Sequence, residues 1–253
     1  MNFQDLGLSS DTVKAIEEVG IKSPTTVQID VIPSILEGKD VFTIAPQRSG
    51  KTYSYVLPLI EMMAQQNNHN ILIITADSPQ AANVSDSFAI FTKYHQTRDD
   101  DNTNVIIATP DLILELDSEQ KLDLEHVDIL VVDDINLIKK QHQLANLEKI
   151  LAKLPSDKQN IVFTNRRSKE TQSILDQILK TPTEIKIDKT KEDEADQAQT
   201  APAGNAEQAV QPSPFCRHTP QIDDEAVEYV DKFHIFGNKT PRFLLFKGEL
   251  KRR

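Results

Sequence analysis

Six short apolar runs rich in β-branched residues, at positions 41–44, 71–75, 104–109, 128–133, 160–164 and 184–188, each separated from the next by a helix-length segment, leave few folds open to this chain. A strand that is apolar at every position has both faces buried, and strands that alternate with helices pair in parallel. The pattern therefore predicts an α/β fold, a doubly wound parallel sheet with helices on both faces, over residues 1–188. Two helices are expected before the first strand. One covers 10–20 with Val13, Ile16 and Val19 on one face, and one follows Pro24-Thr25 and stops before Gly38. In such a sheet ligands sit at the carboxyl ends of the strands.

The first strand runs into Ala45-Pro46-Gln47-Arg48-Ser49-Gly50-Lys51-Thr52, and a helical pattern follows it. Strand, loop and helix around Gly-Lys-Thr is the context of a phosphate-binding loop. Gly50 lets backbone amides close around a phosphate, Lys51 brings a point charge, and the Thr52 hydroxyl can hold Mg²⁺. The spacing of such a loop asks for a glycine where Ala45 stands, and Arg48 occupies a position that favours a small residue. The fourth strand ends in Asp133-Asp134. Acids at a strand exit can simply face solvent, but beside a phosphate-binding loop they suit a metal held through water and an oriented attacking water.

The chain carries 28 Lys and Arg against 39 Asp and Glu, a net charge of −11, which disfavours general attraction to a nucleic-acid backbone. Its one cysteine, Cys216, has no partner for an internal disulfide, and no apolar run approaches the 18 residues of a membrane span. A cytoplasmic location is expected, with no membrane partner. Residues 189–225, rich in Ala, Gln, Pro and acid, read as a flexible linker. Residues 226–253 form a basic, aromatic tail that would dock on the main domain or on a partner.

Taken in order, these motifs resemble the N-terminal RecA-like domain of DEAD-box RNA helicases, a P-loop NTPase fold, over roughly residues 3–188. Phe3, Gly20-Ile21 and Pro24-Thr25-Thr26-Val27-Gln28 resemble the family's Q motif. Residues 45–52 resemble its AxTGSGKT, with Gln47-Arg48 in place of Thr-Gly, and Asp133-Asp134-Ile135-Asn136 stands at the DEAD position. A literal Asp-Glu-Ala-Asp at 193–196 lies in the linker with no strand before it. The resemblance implies ATP and Mg²⁺ as ligands. Phe3 would stack on the adenine and Gln28 would read its edge; Arg48, Ser49, Gly50, Lys51 and Thr52 would hold the phosphates. Thr52 and Asp133 would hold the metal, and Lys51, Asp133 and Asp134 would serve catalysis.

The chain also departs from the family. Asp134 is one methylene shorter than the expected Glu, and a displacement of about 1 Å can cost roughly a hundredfold in rate. Asn136 replaces the last acid, Thr164-Asn165-Arg166 stands where Ser-Ala-Thr is expected, and Asp77 replaces an RNA-facing arginine. No second RecA-like domain is evident. The expectation is an ATP-binding helicase-like domain with weak or partner-dependent hydrolysis and no autonomous unwinding. Weak contact with RNA, a protein partner or a separate second RecA-like domain would complete it. The alternative is a pseudo-helicase scaffold without nucleotide turnover.

Overall fold

The structure, a computed structural model, describes residues 1–65, 69–95, 104–179, 182–187 and the strand at 243–245. The described residues belong to one compact unit. The linker, with the literal Asp-Glu-Ala-Asp at 193–196, and most of the tail lie outside the described residues.

Among the described residues, seven parallel strands form one sheet. They are β1 (Val41–Ile44), β2 (Asn70–Ile74), β3 (Asn104–Ala108), β4 (Ile129–Val132), β5 (Gln159–Thr164), β6 (Thr183–Lys186) and β7 (Phe243–Leu245), in the spatial order β6-β1-β5-β4-β2-β3-β7. All six runs read from the sequence are strands, displaced by a residue or two at their ends. The tail supplies the seventh, pairing Val105 with Phe243 at the β3 edge.

Among the described residues, eight α-helices cover the sheet: α1 (Ser10–Glu18), α2 (Thr26–Leu36), α3 (Lys51–Ala64), α4 (Ser78–Phe91), α5 (Pro110–Ser118), α6 (Ile135–Lys140), α7 (Leu144–Leu151) and α8 (Lys169–Ile178). Because strand side chains alternate between faces, each strand serves two cores. Ile71, Ile73, Val131 and Phe163 pack with α1–α4, whereas Leu72, Ile74, Val132 and Val162 pack with α5–α8. Helix α3 is buried from Ser54 to Glu61 without a break, so its apolar residues follow no single face.

Local chemistry sets the helix starts. Ser9 caps α1, and Asp77 caps α4 by accepting from the Gln80 N–H at 2.8 Å. The carboxylate at the position of an RNA-facing arginine is thus committed to its own helix. Helix α1 is fastened by a buried polar knot. Glu61 accepts from the Ser9 N–H and the Thr12 hydroxyl, each at 2.9 Å, and Thr12 also meets His95 Nε2 at 2.9 Å. No described helix is long and apolar enough to cross a membrane.

Candidate nucleotide site

Strand β5 lies between β1 and β4, so the loop at 45–50 and the Asp133-Asp134 turn flank its carboxyl end. The Ala45 N–H donates to the Thr164 carbonyl at 3.0 Å, and the Asp133 N–H to Ile74 at 2.9 Å, extending the ladders into both loops.

The loop is shaped by its backbone. Gly50 (φ 88°) and Arg48 (φ 63°) are left-handed; for Arg48 that conformation costs roughly 1–2 kcal/mol. The Ser49 hydroxyl donates to the Pro46 carbonyl at 2.8 Å, closing the turn. Among the described residues, the N–H groups of Gln47, Arg48, Ser49 and Gly50 donate to no protein acceptor. They stand at the start of the fourteen-residue α3, whose dipole adds partial positive charge there. Free amides, a helix start and a lysine make an anion cradle.

Lys51 rests across this cradle. Its ammonium meets the Ala45 carbonyl at 3.3 Å and Asp134 Oδ2 at 3.4 Å, with side chains 10% and 3% exposed. Asp134 is itself left-handed at φ 61°, and its Oδ1 is buried with no hydrogen-bond partner. An orphaned carboxylate oxygen beside a lysine wants a cation or a water. Asp133 is differently placed, since its Oδ2 accepts from the buried Tyr55 hydroxyl at 2.9 Å. Burial raises the Asp133 pKa despite the Tyr55 bond and the Lys51 charge, which pull it down. Burial and the neighbouring carboxylate likewise push Tyr55 well above its ordinary value.

Two carboxylates and the Thr52 hydroxyl fit Mg²⁺, which is usually bound by one or two protein oxygens together with substrate phosphates. The described residues contain no group of three acids, histidines or cysteines able to hold a metal alone.

The residues expected around the base are occupied within the protein. Thr25 and Gln28 form a capping box. Gln28 Oε1 accepts from the Thr25 N–H at 2.9 Å, its Nε2 donates to the Gly50 carbonyl at 3.3 Å, and the Thr25 hydroxyl donates to the Ser49 carbonyl at 3.0 Å. Thr-x-x-Gln is a signature of helix starts in general, and here the same two side chains brace the phosphate loop from behind. Phe3 is 4% exposed and packs in the core with Leu6 and Ile35. Sequence reading did not single out Tyr55, because continuous burial of α3 hid it among core residues.

Asn136 joins the DEAD-position turn to the end of β5. Its amide donates to Thr164 Oγ1 at 2.7 Å, Asn165 Oδ1 at 3.0 Å and the Arg166 carbonyl at 2.7 Å. Asn136 is thus the donor that ties the turn after β4 to the end of β5. A separate cleft of about 720 Å³, lined by Asp117, Lys121, Asp123 and Lys153 among others, lies beside the segment that enters β4 and shares no residue with this site.

The chain is 29% identical over 204 residues to the DEAD-box ATP-dependent RNA helicase RhpA of Helicobacter pylori, covering 74% of this chain and 41% of that one. It is 27% identical over 205 residues to the ATP-dependent RNA helicase DeaD of Haemophilus influenzae, covering 74% and 33%. The chain thus spans about two fifths or less of these relatives. The crystal structure of a DEAD box protein from Methanococcus jannaschii superposes with a TM-score of 0.67 at 26% identity, covering 74% of this chain and 56% of that one. The model of the DEAD/DEAH box helicase family matches residues 25–174, more than half of the sequence, and with the RecA-like sheet and the loop at its centre this establishes that the chain belongs to that family.

Proposed function

We infer that this domain binds ATP with Mg²⁺ and turns it over weakly or only with a partner. The observation that carries the reading is Lys51 lying across free loop amides and paired with a carboxylate whose other oxygen has no partner. A phosphate would take Lys51 from Asp134, and a cation would take the carboxylate. Arg48, Ser49, Gly50, Lys51 and Thr52 would hold the phosphates, and Thr52 with Asp133 the metal. Bound Mg²⁺ would neutralise phosphate charge. Asp134 would orient the attacking water, but it starts from a buried pair with Lys51 and a shorter arm than Glu, which supports slow turnover. Phe3 and Gln28 would meet the base after giving up their present contacts. The relatives' names supply RNA as the natural polymer. Asp77, spent on capping α4, supports only weak contact with it and no unwinding by this domain alone.

A scaffold without turnover is the second reading. It is favoured by Arg48, whose left-handed backbone puts a bulky side chain in the phosphate loop. Calorimetric titration of ATP and ADP, with and without Mg²⁺, into the protein and Lys51→Ala decides between them. Micromolar, Mg²⁺-dependent binding lost in Lys51→Ala supports the nucleotide site. Absence of binding at millimolar nucleotide refutes it.

A further inference from the structure

The end of β5 carries two adjacent arginines in different circumstances. Arg167 is committed, being ion-paired to Glu184 and lying 5.5 Å from the centre of the Phe42 ring. Arg166 is exposed, and among the described residues its guanidinium has no hydrogen-bond or ion-pair partner. Its backbone is nevertheless fixed. The Arg166 carbonyl accepts from Asn136 Nδ2 at 2.7 Å and from Thr164 Oγ1 at 2.8 Å, and its N–H donates to Thr164 Oγ1 at 3.4 Å. The Arg166 guanidinium is thus free, and it is carried on a backbone held by three hydrogen bonds.

Its place in the sheet says what it is presented to. The Lys51–Asp134 pair joins the loop after β1 to the turn after β4, so it spans the end of the strand between them, β5. A phosphate that separates Lys51 from Asp134 therefore sits over that strand end, two residues from Arg166. Charge balance points the same way. Asp133 and Asp134 offset Lys51 and Arg48, so the site brings no surplus positive charge, and a triphosphate entering with Mg²⁺ gains from a further cation near its terminal group. Guanidinium matches phosphate oxygens with two parallel donors.

We propose that Arg166 contacts the terminal phosphate of a bound nucleoside triphosphate and makes the site discriminate triphosphate from diphosphate within this one domain. Asn136 and Thr164 act as positioning residues that hold its backbone in the turn. This rests on the reading of residues 45–52 as a nucleotide site. The chemistry is binding alone, with no bond made or broken.

The test is calorimetric titration of Mg-ATP and Mg-ADP into the full chain, Arg166→Gln and Arg167→Gln, with circular dichroism verifying that each exposed substitution leaves the fold intact. The expected result is that Arg166→Gln weakens ATP about tenfold or more, the size of one charge-assisted contact. ADP stays within about twofold, and Arg167→Gln changes neither. Equal loss for both nucleotides, or no loss for ATP, overturns the assignment while leaving the nucleotide site standing. Failure of the unsubstituted chain to bind either nucleotide overturns both.

Discussion

Substituting Gly50 with alanine tests the packing behind the phosphate loop. At φ 88° any L side chain is strained, at a cost of roughly 1–2 kcal/mol. The added Cβ would also lie 2.8 Å from Gln28 Nε2 and 2.8 Å from Thr25 Oγ1. Neither atom can retreat freely, because Gln28 holds the Gly50 carbonyl and the Thr25 N–H, and Thr25 holds the Ser49 carbonyl. Moving them opens the capping box at the start of α2, worth about 0.5–2 kcal/mol. The expected loss is therefore about 1.5–4 kcal/mol. Gly20 is the matched control: it is left-handed at φ 81°, but a Cβ there meets nothing within 4 Å. Gly20→Ala should cost only the conformational part, about 1–2 kcal/mol. Urea unfolding of both variants, compared at equal m values, isolates the difference. Equal losses would mean that the loop relaxes away from α2 and that Thr25 and Gln28 do not brace it.

Two further expectations concern protons. Burial raises the Asp133 pKa in the folded protein, so its contribution is full below the ordinary carboxylate value and is lost as pH rises through the raised one. Asp133→Asn, which keeps an oxygen for the Tyr55 hydroxyl, should raise the urea midpoint at pH 7 and leave it little changed in acid. It should also make ATP affinity insensitive to Mg²⁺; a lower midpoint at pH 7 would refute the burial argument. His95 has the opposite sign. Burial lowers its pKa, and the neighbouring Glu61 and Asp11 charges only partly oppose this. Its contribution is therefore present above about pH 6.5 and is lost as pH falls through the depressed folded value. His95→Gln should flatten stability against pH over that interval, and identical slopes for the two proteins would remove His95 from the account.

Strand composition made the sheet legible. Runs such as Ile129–Val132, buried at every position, have no other economical place than a sheet covered on both faces. The loop was legible for the same reason, since Gly50-Lys51-Thr52 is a backbone requirement written in residue types. What the sequence hid depends on pairs brought together by the sheet. Lys51 and Asp134 are 83 residues apart, and their meeting follows from β1 and β4 lying on either side of β5. The edge position of β7 is equally invisible locally, because 243–245 is an apolar triplet within an aromatic tail. Gln28 was read from the sequence as a base reader alone, and its place with Thr25 in a capping box shows only in the folded chain.

The departures from the family pattern divide by whether the fold uses them. Asp77 caps α4, and Asn136 ties the turn after β4 to the end of β5 by donating. Each has protein partners that account for the residue type. Arg48 and Arg166 have none among the described residues, yet the first accepts a left-handed backbone and the second a backbone held by three hydrogen bonds. Both side chains are exposed; under the proposed nucleotide reading, the reason for these two lies in what binds beside them. Both follow strands that flank or carry the cradle of unpaired amides around Lys51, and an anion is the one ligand that would satisfy amides, lysine and arginines together.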